Sequence, residues 1–464
     1  MEWDTVIENG MLVTPDATVK ANLYIKEGKI AAFSDRPLGG TARKTINAAG
    51  KYVLPGLIDI HVHSRDPGPT YKEDFFTSTQ AAAAGGITTI FDMPNTTPPT
   101  RDAASFRNQV ANLTPKAHVD FGIWGICLGH LNNKDLPAMA EAGVIGFKYF
   151  WGYAINKRTF QLTYNYKAGM DDVIAPFSDG EVYEIFQTVA KTGKVLAVHA
   201  ENSSLILKLT EQVRKAGGSD YEALLKGRPN LAEEVTVQMG LSFSRASGAN
   251  LHILHVTTAE AVDAIRRAKA AGVPASAETC PHYLFLSNED YPKVGPVMKI
   301  YPPIKYKKDQ QRLWQGINDG TITIISSDHA PHTPEEKNGD LWSIPAGMPG
   351  TETMAPLMLN AVSEGRLTLQ KLTALMSENP AKRFGIYPQK GSLNIGTDAD
   401  ITIVDMNKES VIRAASLHSK SKVTAYDGWH VKGLPVETIV RGETVMKNGK
   451  IVHKPFGQVI RPSK

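Results

Sequence analysis

Cysteine is scarce. Cys127 and Cys280 are the only two in 464 residues, too few for a disulfide framework, so the chain is not a small stapled scaffold and a reducing compartment is expected, with either thiol simply packed. No stretch keeps about 18 apolar residues in a row, so no membrane span is expected. The opening MEWDTVIENG lacks the basic and apolar regions of a secretory signal, and the expectation is a soluble, cytoplasmic protein. Charge of one sign is also lacking: 51 Lys and Arg against 47 Asp and Glu leave +4, too little to mark a nucleic-acid footprint. Motif repeats and low-complexity tracts are absent. What is present is globular, with 42% hydrophobic and 21% charged residues, and the length suits roughly three domains or one large barrel with an appendage.

The first 55 or so residues read as short strands with hairpin signals at Asn9-Gly10 and Glu27-Gly28, and the last 75 or so read alike, with ADITIVD, VETIVRG, ETVMK and a turn at Asn448-Gly449. Neither end has enough strands for its own core, so residues 1–55 and 388–464 are expected to pair into one small β-sandwich. Between them, eight apolar runs alternate with helical patterns: GLIDIHVH from Gly56, GITTIFDM from Gly86, VDFGIWGI from Val119, GVIGFKYF from Gly143, KVLAVHAE from Lys194, NLHILHVT from Asn250, PASAETCP from Pro274 and TITIISSD from Thr321. Helical stretches such as EDFFTSTQAAAAG, DGEVYEIFQTVAKTG and TAEAVDAIRRAKAAG each end at a glycine suited to a left-handed cap. An α/β fold follows, a (β/α)8 TIM barrel over 56–387. A doubly wound open sheet fits less well, because no G-x-G-x-x-G follows the first run. The long aromatic-rich segment after the fourth run, 152–180, reads as a lid over the catalytic face, with an oligomer contact as the alternative.

In barrel enzymes the reactive groups sit at the C-terminal ends of strands. The first run ends in His61-Val62-His63, whose imidazoles share a face because side chains alternate along a strand. His199 ends the fifth run, His255 the sixth and Asp328 the eighth, while Lys148 lies in the fourth, in GFKYF. A single strand histidine is usually a hydrogen-bonded core residue, but histidines and an acid at so many strand ends are costly to bury for packing alone. Nitrogen and carboxylate donors without cysteine suit zinc, with manganese, iron or cobalt as alternatives. Lys148 needs its own explanation: a salt bridge to Asp328 or Glu201, or a carbamate formed with carbon dioxide that bridges two metals.

These residues and their surroundings, PGLIDIHVHSRDPG, AAAAGGITTIFDMPNT, GFKYF, AVHAEN, ILHVT, AETCPHYL, SSDHAPHTPEEK, DADITIVD and VRGETV, resemble in order the cyclic-amide branch of the amidohydrolase superfamily: dihydroorotases, hydantoinases (dihydropyrimidinases) and allantoinases. The resemblance implies two divalent metal ions, one on His61, His63 and Asp328, the other on His199 and His255, with N6-carboxylated Lys148 bridging both. It implies metal-assisted hydrolysis of a ring amide, Asp328 acting as general base and Tyr153 steadying the oxyanion. A homodimer or homotetramer acting on a small cyclic amide, with no nucleic-acid or membrane partner, is the corresponding expectation.

Substrate signals are mixed. Arg65, Asn95 and His332 match dihydroorotase positions that hold a substrate carboxylate, and GMPGTET is also dihydroorotase-like. Lys148 with Tyr153, FGIYPQKG and the C-terminal FGQV resemble hydantoinases, whereas Tyr301, expected to contact the ring, departs from both patterns. A cyclic ureide or imide bearing an acidic group is expected first, plain hydantoins or dihydropyrimidines second and allantoin third. Collapsin-response mediator proteins also resemble this branch and act as assembly proteins, but they lack the full ligand set present here.

Overall fold

Strands covered on both faces must be apolar at nearly every position, and Leu57–Val62, Ile87–Asp92 and Val195–Ala200 are buried at every residue. The computed structural model describes residues 2–463 apart from Asn165 and Ala168, and it has a mixed α/β fold. Each of the eight expected runs contains a strand, and the strands pair in parallel in chain order. One arc joins Leu57–Val62, Ile87–Asp92 and Asp120–Ile123; the other joins Gly125–Ile126, Phe147–Trp151, Val195–Ala200, Asn250–Ile253, Ala275–Thr279 and Ile324–Ile325. Backbone bonds link the arcs at both ends. Ile145 N, just before Phe147–Trp151, donates to Ile123 O (2.9 Å), while His63 N donates to His329 O (2.7 Å) and His329 N to His61 O (3.1 Å).

Helices between the strands have the caps that their sequences encode. Asp74 caps Phe75–Ala84, Ser178 with Glu181 forms a capping box on Asp179–Thr192, and Thr258 caps Ala259–Ala270. Gly193 and Gly272 take the left-handed conformation expected of them. After Phe75–Ala84 it is Gly86, not Gly85, that does so (φ 85°).

Both ends of the chain enter one nine-stranded sheet, with Tyr52–Pro55 antiparallel to Ile401–Val411 and parallel to Glu2–Val13. Ile7, Leu23, Ile25, Ile30, Val53, Ile401 and Ile439 form its apolar cluster. The Glu27-Gly28 and Asn448-Gly449 hairpins form as expected. Asn9-Gly10 does not turn the chain. Glu2–Val13 is one continuous strand whose register slips between Ile7 and Gly10, and Asn9 with φ 62° absorbs the extra residue as a bulge. Only Asn9 is left-handed here, whereas a type I′ turn would need positive φ at both residues, but Asn-Gly tolerates either arrangement, so the local signal does not distinguish them.

The segment 152–180 carries a small antiparallel sheet of Ala154–Asn156, Leu162–Thr163 and Val173–Ile174. It leans over the loop after the second parallel strand: Gln161 Nε2 donates to Thr97 Oγ1 (2.8 Å) and Asn95 Nδ2 to Tyr164 Oη (3.2 Å). Asn165 and Ala168 of this segment lie outside the described residues. Among the described residues no helix is long and apolar enough to cross a membrane.

Candidate metal centre and active site

Strand periodicity sets His61 and His63 on one face, and their ring centres lie 5.3 Å apart. Asp328 Oδ1 stands 3.2 Å from His61 Nε2 and 3.5 Å from His63 Nε2. His255 lies 5.4 Å from His61 between ring centres, and His199 lies 4.8 Å from His255. His255 and Asp328 both follow the ends of their strands with positive φ, 37° and 46°, a region that side chains other than glycine rarely enter. Such strain persists where surrounding structure enforces it and is concentrated at functional sites.

Three of the four imidazoles have one nitrogen committed to an orienting partner. His61 Nδ1 lies 2.6 Å from Glu278 Oε1, His63 Nδ1 lies 2.8 Å from Asn95 Oδ1, and His199 Nε2 lies 3.0 Å from Glu201 Oε2. With those nitrogens donating, the lone pairs of His61 Nε2 and His63 Nε2 face Asp328, and His199 Nδ1 faces His255 Nε2 at 3.0 Å. Two imidazole nitrogens turned toward one another, beside a carboxylate flanked by two more, form a donor set that fits divalent cations. His61, His63 and Asp328 offer ligand atoms that all lie within 4.8 Å of one another.

Burial favours the protonation states that metal ligation needs. It draws His63 down to about 4 and holds His199 and His255 below the ordinary histidine value, so all three are neutral at pH 7. Burial alone would raise the Asp328 carboxyl, but His61, His63 and His255 around it hold it well below the carboxylate range. Lys148 is 1% exposed, and burial lowers its ammonium to about 7 against the opposing pull of Asp328 and Glu278. Its Nζ lies 4.6 Å from the Phe150 ring centre. The salt bridge considered for Lys148 is not formed: neither Asp328 nor Glu201 pairs with it, and Glu201 is taken by Arg228 and His199. Both cysteines are buried, and burial raises both thiols.

A second acidic group, Asp120, Asp398 and Asp400, is closed by cations of the chain itself. Lys390 Nζ contacts all three carboxylates and Arg441 binds Asp120, which leaves no role there for a metal.

Around the centre, Arg65 (φ 62°) places its guanidinium beside His332, with Nη2 3.4 Å from His332 Nε2 and Nε 3.4 Å from Pro331 O. Among the described residues it makes no ion pair. The two carboxylates that could have taken it are engaged elsewhere: Asp66 with Lys116 (2.7 Å), and Glu73 with Thr77 and Ser419. Asn95 spends its carbonyl on His63 and its amide on Tyr164, so it orients the His63 ring. The Tyr153 ring centre is 5.2 Å from that of His199. Tyr301 has the Arg228 guanidinium 3.5 Å over its ring centre. Sequence reasoning did not find Glu278 or Arg228. Glu278, in the apolar run PASAETCP, carried a usable signal, because a carboxylate inside a covered strand demands a partner.

Residues 52–445 match the amidohydrolase family. The chain is 37% identical to the L-hydantoinase of Paenarthrobacter aurescens, over 99% of this chain and 98% of that protein. It is 36% identical to an allantoinase of Desulfitobacterium hafniense, over 99% of each. Relatives named dihydroorotase also align along nearly the whole length. Among solved structures, the L-hydantoinase (dihydropyrimidinase) from Arthrobacter aurescens superposes with a TM-score of 0.93 at 36% identity, covering 99% of this chain and 100% of that one.

Proposed function

This chain belongs to the amidohydrolase family, and on that premise we propose that it opens the ring amide of a cyclic ureide or imide bearing an acidic group, as dihydroorotate or a 5-carboxyalkyl hydantoin does. The chain is a hydrolase of cyclic amides, of the hydantoinase, allantoinase and dihydroorotase type. The family generally uses a binuclear metal centre, and here His61, His63 and Asp328 would hold one ion, His199 and His255 the other, with carboxylated Lys148 between them. Zinc suits these donors first, then manganese, cobalt or iron. When bound, the ions supply a hydroxide nucleophile near neutral pH and polarise the ring carbonyl.

The residues of the chain do the rest. Asp328, ionised and facing the histidine pair, takes the proton of the attacking water and returns it to the ring nitrogen as the C–N bond breaks, leaving a carboxylate and an open amide. The Tyr153 hydroxyl donates to the oxygen that becomes negative when the carbonyl carbon turns tetrahedral. Arg65, with His332 beside it, grips the acidic substituent. We also read the two parallel arcs as one closed (β/α)8 barrel over 56–387, with 1–55 and 388–464 forming the appended β unit, and the assembly as a homodimer or homotetramer.

The observation that carries the substrate reading is Arg65: a half-buried guanidinium at the mouth of the centre, its neighbouring carboxylates occupied, is built for an anion from outside. Turnover of dihydroorotate, 5-carboxymethyl hydantoin, hydantoin, dihydrouracil and allantoin with zinc and with manganese tests it. Arg65→Ala is expected to lower kcat/KM for the acidic rings by about 10–100-fold, the scale of a charged hydrogen bond, and to leave the neutral rings within a few-fold. Equal losses on both sets refute the carboxylate clamp. A second reading, neutral 5-substituted hydantoins, is supported by Tyr153 beside His199 and by the L-hydantoinase likeness. It predicts that hydantoin outpaces every acidic ring.

A further inference from the structure

Arg228 lies outside every motif used above, yet it touches two parts of the site. It follows the short helix Tyr221–Gly227, its side chain is only 13% exposed, and its carbonyl is pinned by the buried Lys305 Nζ. Its Nη1 donates to Glu201 Oε2, the same oxygen that lies 3.0 Å from His199 Nε2. Its guanidinium carbon stands 3.5 Å over the centre of the Tyr301 ring. A carboxylate between an arginine and an imidazole has its oxygen fixed, and the imidazole proton with it, because only the nitrogen facing that oxygen can donate. The other nitrogen of His199, Nδ1, then keeps its lone pair toward His255 Nε2 at 3.0 Å.

We infer that Arg228 is a positioning residue with two tasks: through Glu201 it sets which nitrogen of His199 is free to bind a metal, and through its stacked face it holds Tyr301 as a wall of the ring pocket. Arginine suits both tasks and lysine neither fully, since the planar fork can bond a carboxylate in its plane while stacking on an aromatic face. The inference deepens the proposed metal centre and rests on it. The wall half is particular to this chain, because Tyr301 departs from the residues its relatives were expected to carry there.

Zinc binding to the wild type, Arg228→Met, Glu201→Gln and the double variant, measured against buffered free zinc with elemental analysis for stoichiometry, tests the relay. Each single variant is expected to bind one of two ions about 10–100-fold more weakly, the usual effect of losing a partner that orients a ligand, with the other ion held as before. The double variant is expected to be no worse than either single one, since both break the same chain. Restoring the second ion with excess zinc is expected to return kcat in Arg228→Met while KM stays raised, because the Tyr301 wall has lost its support. Wild-type affinity for both ions in Arg228→Met overturns the relay. Should that variant not fold, wild-type affinity for both ions in Glu201→Gln overturns it equally. Complete recovery of KM on zinc addition overturns the wall. A wild type that binds fewer than two zinc ions overturns the binuclear reading itself, which separates that failure from the others.

Discussion

A positive charge set between two divalent cations would be repelled by both, so the environment of Lys148 bears directly on its chemistry. Burial brings its ammonium to about 7, so a large share is the free amine at neutral pH, the form that adds to carbon dioxide. Lys148→Ala is therefore expected to lose more than the roughly 10–100-fold that an outer partner costs, and short carboxylic acids are expected to restore part of the rate by taking the bridging place. Full activity in Lys148→Ala rules out the bridge. His118 gives a prediction away from the centre. It is 2% exposed, and burial, aided by the charge of His453, lowers it to about 4. Its unfolded value is near 6.5, so between pH 6.5 and 4 the unfolded chain gains a proton that the folded chain refuses, and stability falls as pH falls through that window. Melting temperature measured against pH should drop less across it in His118→Gln than in the wild type. The proposed ligands could be named from the sequence because all but Lys148 lie at or near the end of an apolar run, where a polar group has no packing reason to be. Their orienting partners could not, because Glu278 reaches His61 across 217 positions, a separation that no local pattern spans.

Among the elements, the segment around 417–422 ties the C-terminal region to the loops that carry Arg65 and His332. Ser421 Oγ donates to His332 O, Ser419 Oγ to Glu73, and Lys420 Nζ to Thr70 O (2.8 Å), while His418 Nδ1 meets Glu352 (2.9 Å). If Arg65 and His332 form the proposed clamp, this segment holds it from behind. Ser421→Ala is expected to raise KM for acidic rings by about 2–10-fold, the worth of one neutral hydrogen bond, with kcat and the KM of neutral rings nearly unchanged. A change in kcat alone argues against a clamp role. The parallel strands could be read from the sequence because burial on both faces forces continuous apolar runs. Asn9-Gly10 reads locally as a turn because Asn and Gly both tolerate positive φ, and only pairing with the strand Thr18–Lys26 makes a bulge of it.

Across the whole molecule, Lys390 joins the terminal sheet to the third parallel strand. It is 2% exposed, bonds Asp400 at 2.7 Å and Asp398 at 3.0 Å, and meets Asp120 from 270 positions away. Arg441 and Lys29 complete the network on Asp120 and Asp398. Removing the central cation leaves buried carboxylates unpaired, so Lys390→Met is expected to cost about 3–5 kcal/mol, read from urea unfolding, with zinc stoichiometry in the folded fraction unchanged. Loss of zinc without loss of stability is the contrary result. The sequence showed that two β-rich ends flank one middle, but not this ionic tie, since none of its members sits in a motif.

The sheet sewn from both ends sets an order of events during synthesis. Leu57 N reaches Thr402 Oγ1 across 345 positions, and at ribosomal speeds of 5–20 residues per second that is roughly 20–70 s of waiting. Throughout that interval Tyr52–Pro55 has left the ribosome without the neighbour at Ile401–Val411 that covers one of its edges. A nascent chain halted before residue 400 therefore displays a naked strand flank, and such stalled chains should be the ones that chaperones retain and that cross-pair when crowded.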